Sequence, residues 1–192
     1  GLILPILSLA WAGRDINRFN GVLQKSLDAM LLLAAPLIIG AELVARPLMV
    51  LVAGKNFAPA GGILKILILA VGFIFIGCLL AHAVIALDKQ KNIIGAYVFT
   101  ALTALLGYLI FIPRYSYYGA AWVTVYSELA IAIFSLYVVI KYSQFKFNFT
   151  IMFKSLLASL IMGLVTYLLL DKINIILIIP LAGLIYLASL YL

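Results

Sequence analysis

Four acidic, basic or imidazole side chains lie more than one turn inside long apolar stretches of this chain: Glu42, Arg46, His82 and Glu128. A charge in a lipid-facing position is expensive, so groups of this kind mark functional candidates in a membrane span. Glu42 and Arg46 are four residues apart. That spacing puts them on one helical face with the acid N-terminal, the favourable order for an ion pair. Arg46 also lies about two turns from the outer end of its stretch, within reach of an interface by snorkelling. Glu128 follows Gly119 by nine residues, which at ~1.5 Å per residue places it near mid-bilayer, against a polar partner or in a water-filled cavity. His82 is within two turns of the polar segment at Asp88, where interfacial packing is the simpler role.

Other chemistries fail for want of residues. With one His and one Cys among 192 residues, the chain holds neither a zinc-binding set nor a Cys–His pair. There is no Gly-x-Ser-x-Gly elbow and no phosphate loop. The sequence thus predicts a non-enzyme with no metal and no cofactor. Cys78 cannot form an internal disulfide. The net charge of +7 comes from basic residues scattered singly between apolar spans, which fits interfacial anchoring rather than nucleic-acid binding.

The elements that position these groups follow from composition. Hydrophobic residues make up 67% of the chain and charged residues 10%, against about 25% charged in ordinary soluble domains. Lipid must therefore be the solvent for much of the surface. The apolar runs do not alternate, so they predict helices rather than barrel strands. The expected fold is an all-α polytopic membrane helix bundle. Six full spans are expected, near Ser26–Val52, Gly62–Leu87, Asn92–Ile112, Ala120–Ile140, Met152–Leu170 and Ile173–Leu192. Gly1 to Ala12 is too short to span and reads as the tail of a cut helix, and Leu192 ends within an apolar run.

Short polar connections make neighbouring spans antiparallel, which sorts the basic residues by side. Arg14, Arg18, Lys25, Lys89, Lys91, Lys141, Lys146 and Lys154 share one side; Lys55, Lys65, Arg114 and Lys172 share the other. The richer side is expected to be cytoplasmic. Asn148-Phe149-Thr150, a glycosylation sequon, then lies in the cytoplasm and carries no weight. Tyr115, Tyr117, Tyr118 and Trp122 form one interfacial aromatic group, and Tyr142, Phe145, Phe147 and Phe149 the other. Ser155, Ser159 and Gly163, with Thr103 and Gly107, recur at four-residue intervals that suit close helix packing. Pro36 and Pro47 predict a kinked first span.

The run Pro36-Leu-Ile-Ile-Gly-Ala-Glu42-Leu-Val-Ala-Arg46-Pro47 to Gly54-Lys-Asn-Phe57-Ala-Pro-Ala60 resembles the Pro-rich helix and following Gly-x-x-Phe-x-x-Ala loop of polysaccharide flippases of the Wzx type. These belong to the MOP superfamily, which includes MATE exporters and the lipid II flippase. Ala86-Leu-Asp-Lys-Gln-Lys91 is similar to that family's loop after an interior helix. Ile112-Pro113 through Gly119-Ala-Ala121, Thr124 and Glu128 resembles its Ile-Pro…Gly-Ala-Ala…Thr…Glu segment, and Leu4-Pro5-Ile-Leu-Ser8 the end of the second helix of the second lobe. The resemblance runs to about Lys141. It implies a partial second lobe over residues 1–141, two additional C-terminal transmembrane helices over 142–192, and a missing N-terminal lobe. It also implies transport of a polyprenyl-pyrophosphate-linked oligosaccharide across the cytoplasmic membrane, with membrane lipids and a coupling ion as partners and no nucleic acid. Arg46, Glu42 and Glu128 are then the candidates for a substrate or ion cavity. A MATE-like drug or cation exporter and a membrane-embedded enzyme of envelope synthesis are the competing readings.

Overall fold

A computed structural model describes residues 3–170 and 172–191. Gly1 and Leu192, where the sequence suggests cut ends, lie outside the described residues. The elements are α1 (Ile3–Ala12), α2 (Ile16–Ala53), a 3₁₀ turn (Lys55–Phe57), α3 (Ala60–Ala86), α4 (Gln90–Tyr115), α5 (Tyr117–Ser143), α6 (Thr150–Leu169) and α7 (Ile175–Leu190). Among the described residues there is no strand. Five helices, α2 to α6, are long and apolar enough to cross a membrane.

Three boundaries differ from those expected, each for a physical reason. The first span begins ten residues early, because the polar stretch from Ile16 is helical too; α2 has 38 residues, about 57 Å at ~1.5 Å per residue. Pro113 lies inside α4 rather than in the loop beyond it. The turn falls instead at Ser116, whose φ is +52°. α7 has 16 residues, about 24 Å, short of a hydrocarbon core of ~30 Å.

The chain divides into two compact units, and both α2 and α3 contribute to each. Unit one is Gly1–Met30 with Phe73–Asn148; unit two is Leu31–Gly72 with Phe149–Leu192. In unit one, Phe19, Leu23 and Leu27 recur every four residues along α2 and are completely enclosed with Leu7 of α1, Leu80 and Val84 of α3, Leu87 just after α3, and Val139 of α5. Burial of this kind separates the core from lipid, yet the driving force inside a membrane is packing and polar satisfaction rather than exclusion of water. Polar ties accordingly accompany it. Asn20 Nδ2 donates to the Ser143 carbonyl at 2.9 Å, while the Gln24 amide exchanges two 3.0 Å bonds with the Asn148 backbone.

Unit two is organised around the proline in α2. Pro36 has no N–H, so the carbonyl four residues earlier, that of Leu32, loses its helical donor. The Tyr186 hydroxyl of α7 donates to that carbonyl at 2.7 Å. Ser155 of α6 stands 2.9 Å from the same hydroxyl and donates to the Leu31 carbonyl at 3.2 Å. Neighbouring hydroxyls thus supply what the proline removes, the condition for tolerating proline in a membrane helix. The small residues of α6 serve the same contact. Ser155 and Ser159 are fully buried, and a side chain at Gly163 would come within 2.7 Å of Ile39.

A double-mutant cycle tests the proline cradle. Tyr186→Phe should lower the unfolding free energy in detergent by about 1 kcal/mol. On a Pro36→Ala background, which restores the backbone donor, the same change should cost less than half as much. Equal costs on the two backgrounds would show that the hydroxyl does not serve the proline's orphaned carbonyl.

Candidate functional site

Glu42, Arg46 and their surroundings belong to unit two. α2 ends at Ala53 and is followed by Gly54, whose φ of +92° lies in a region that favours glycine. The 3₁₀ turn follows, and α3 folds back along α2. The two helices meet at backbone distance: a Cβ added to Gly61 would lie 2.6 Å from the Arg46 Cα. From that crossing the register is fixed. Four residues back along α2 is Glu42, four forward along α3 is Lys65, and these two form an ion pair at 3.8 Å.

The carboxylate therefore pairs between helices, with Lys65, and not with Arg46 along its own helix. It is the one ion pair among the described residues. Both partners keep about two-fifths of their side-chain surface exposed, so the pair is a weak structural contributor. Arg46 is exposed and has no hydrogen-bond or ion-pair partner among the described residues. Lys65 was not legible as a site residue in the sequence, because it stands three residues into the expected Gly62–Leu87 span and groups with the basic residues of one membrane side. The observed α3 begins at Ala60 and takes Lys65 into its second turn.

Glu128 belongs to unit one. It lies eleven residues beyond the first residue of α5, about 17 Å along the axis and hence deep in a membrane span. The carboxylate is half-buried and has no hydrogen-bond or ion-pair partner among the described residues. Polar side chains line the preceding turns of the α4–α5 contact. Tyr108 and Thr124 share a hydroxyl–hydroxyl bond of 3.1 Å, and Thr103 and Tyr126 another of 3.0 Å. Thr124 also donates to the Ala120 carbonyl and Ser127 to the Thr124 carbonyl. The backbones come close where Gly119 meets the Phe111 carbonyl, and Gly107 leaves room for the Val123 side chain. One turn beyond Glu128, Ala132 packs on Gly77 of α3. Glu128 is thus positioned by a hairpin whose hydroxyls satisfy one another and, among the described residues, leave the acid without a partner.

His82 takes a local role. Its Nδ1–H donates to the Cys78 carbonyl at 2.7 Å, one turn back on α3. The ring and Cys78 border an otherwise apolar cavity of about 350 Å³ in unit one. Among the described residues no group of His, Cys, Asp and Glu is arranged to hold a metal ion.

No protein-family model matches the chain, and no curated protein matches it either. Among solved structures the chain is similar to the lipid II flippase MurJ in an inward closed conformation, with a TM-score of 0.80 and 21% sequence identity. The match covers 98% of this chain and 41% of that one, so the chain spans well under half the length of the structure it resembles. Identity at that level speaks to fold and not to substrate. The chain is therefore a multi-pass membrane protein whose all-α helix bundle shares the fold of that structure.

Proposed function

We propose that this chain is the second lobe, with two further C-terminal helices, of a flippase in the cytoplasmic membrane that moves a polyprenyl-pyrophosphate-linked oligosaccharide from the inner to the outer leaflet. The observation that carries the reading is the fold shared over 98% of the chain with a protein described as a lipid II flippase. The motifs around Pro36, Gly54 and Gly119 favour an oligosaccharide carrier of the Wzx type within that fold. The physical requirement agrees. A pyrophosphate and its sugars must cross ~30 Å of hydrocarbon, so the path needs water, cations and acceptors while the lipid tail stays in the bilayer. Among the described residues Arg46 is a cation without a partner and Glu128 an acid without one, both within membrane helices. The first suits the pyrophosphate, the second a sugar hydroxyl or a coupling ion.

The proposal includes an N-terminal lobe, because alternating access needs two bundles rocking around a site between them. Transport of labelled lipid-linked oligosaccharide by the reconstituted two-lobed protein is the experiment that tests it.

The orientation is part of the proposal. With Cys78 replaced, a membrane-impermeant thiol reagent applied to intact cells should label a cysteine at Ser116 and leave one at Gln90 untouched. Labelling in the opposite sense would invert the assignment of the Lys- and Arg-rich side.

A further inference from the structure

We propose that the cleft between the first turns of α4 and the last turns of α5 binds the phosphate-bearing headgroup of an anionic phospholipid. The inference stands on this hairpin alone and does not depend on what the protein transports. A cavity of about 180 Å³ opens there, with Asn92, Lys141 and Tyr142 at its polar end. The Lys89 Nζ lies 4.8 Å from the Tyr142 ring centroid, and the Lys141 Nζ lies 5.8 Å from the same ring and 5.9 Å from that of Tyr137. Two ammonium groups therefore sit around one phenol. Neither has an ion-pair partner among the described residues.

The remaining polar groups are arranged to donate. Asn92 Nδ2 donates to the Tyr142 hydroxyl at 2.6 Å, which leaves the phenol's own proton for an outside acceptor. The N-terminus of α4 has no side-chain cap, so its partial positive charge adds to that of the lysines. Asp88 is the neighbouring acid, and its carboxylate accepts a bond from Gln90 at 3.2 Å. The cleft is thus a concentration of donors and positive charge that calls for an anion.

What favours a lipid over a free anion is the shape along α5. Below Lys141 and Tyr142 the cavity wall continues through Val138 and Tyr137 to Phe134. Seven residues from Lys141 to Phe134 correspond to ~10 Å along the helix axis. Because α5 is a membrane span, that direction runs from the interface into the hydrocarbon. A molecule with a phosphate at one end and an acyl chain at the other matches both halves, and basic pockets between membrane helices recognise anionic headgroups in this way. Inorganic phosphate would use the polar half alone.

Native mass spectrometry of the purified 192-residue chain, released from an uncharged detergent, can measure this. The chain should bind dioleoyl phosphatidylglycerol at least tenfold more tightly than dioleoyl phosphatidylcholine. Lys89→Gln with Lys141→Gln should remove that preference, whereas Lys55→Gln with Lys172→Gln, an equal loss of charge elsewhere, should keep it within twofold. Tyr142→Phe, which preserves the ring and removes only the hydroxyl, should weaken phosphatidylglycerol binding about threefold and serves if the double variant is poorly folded. Equal affinity for the two lipids, or equal loss in both lysine pairs, would overturn the site. Displacement of phosphatidylglycerol by millimolar inorganic phosphate would identify a free-anion site and overturn the lipid assignment.

Discussion

In the two-lobed flippase proposed above, Glu128→Gln and Arg46→Ala should each lower export of the finished glycan more than tenfold, with both variants present in the membrane at normal levels. The expectation rests on what each side chain lacks. Glu128 is deep in α5, half-buried, and without a partner among the described residues; Arg46 is equally unpaired on α2. A lipid-exposed charge at the bilayer centre costs several kcal/mol by insertion measurements, so such groups persist where water or substrate meets them. A tenfold loss corresponds to ~1.4 kcal/mol, well within the value of one charge-assisted contact to a pyrophosphate or ion. Lys65→Met supplies the comparison. Lys65 has a partner in Glu42, and removing a half-exposed pair should change export by less than threefold. Surface polysaccharide measured by immunoblot checks all three. Normal export by both Glu128→Gln and Arg46→Ala would remove these residues from the transport path.

Gly119→Ala should prevent stable folding of unit one, a result out of proportion to one added methyl. A Cβ at this position would lie 2.6 Å from the Phe111 carbonyl carbon and closer still to its oxygen. Both atoms are backbone, so no change of rotamer relieves the clash. The α4–α5 hairpin must open, and the Tyr108–Thr124 bond within the same contact is lost with it. Overpacking in a close-packed interior typically costs about 1 to 3 kcal/mol and more where backbone must move. Gly95→Ala offers the opposite case, since nothing lies within 4 Å of its added Cβ. It should be neutral or raise stability by up to ~1 kcal/mol through helix propensity. Thermal unfolding in detergent, followed by the fraction of monodisperse protein, separates the two; comparable melting of Gly119→Ala and the parent would show that the hairpin crossing is not as tight as described.

The fold class was legible because twenty-residue apolar runs admit few structures in lipid, and the five long helices follow those runs closely. Helix ends were legible where turn chemistry is local, as at Gly54 and Asp88. They were misread at Pro113, where a proline in the last turn of α4 is accommodated and the chain reverses at Ser116 instead. The candidate charges were visible one at a time, since an ionisable residue in an apolar run needs no partner to be noticed. Their partners were not. That Glu42 meets Lys65 and not Arg46 depends on the α2–α3 crossing at Gly61, a contact between positions fifteen residues apart. The cradle under Pro36 is still less local. Tyr186 is 154 residues from the Leu32 carbonyl it serves, and nothing in the run around Tyr186 marks it as more than an apolar helix residue.

The proposed function is transport of a lipid-linked oligosaccharide by this fold when both lobes are present. Reconstitution into liposomes tests it most directly, using a fluorescent polyprenyl-pyrophosphate oligosaccharide whose sugar becomes accessible to a lectin only after crossing. The two-lobed protein should expose the sugar faster than protein-free liposomes, and the 192-residue chain alone should match the protein-free rate. No acceleration by the two-lobed protein, together with uptake of a cationic dye such as ethidium, would contradict the claim and identify a MATE-like exporter in its place.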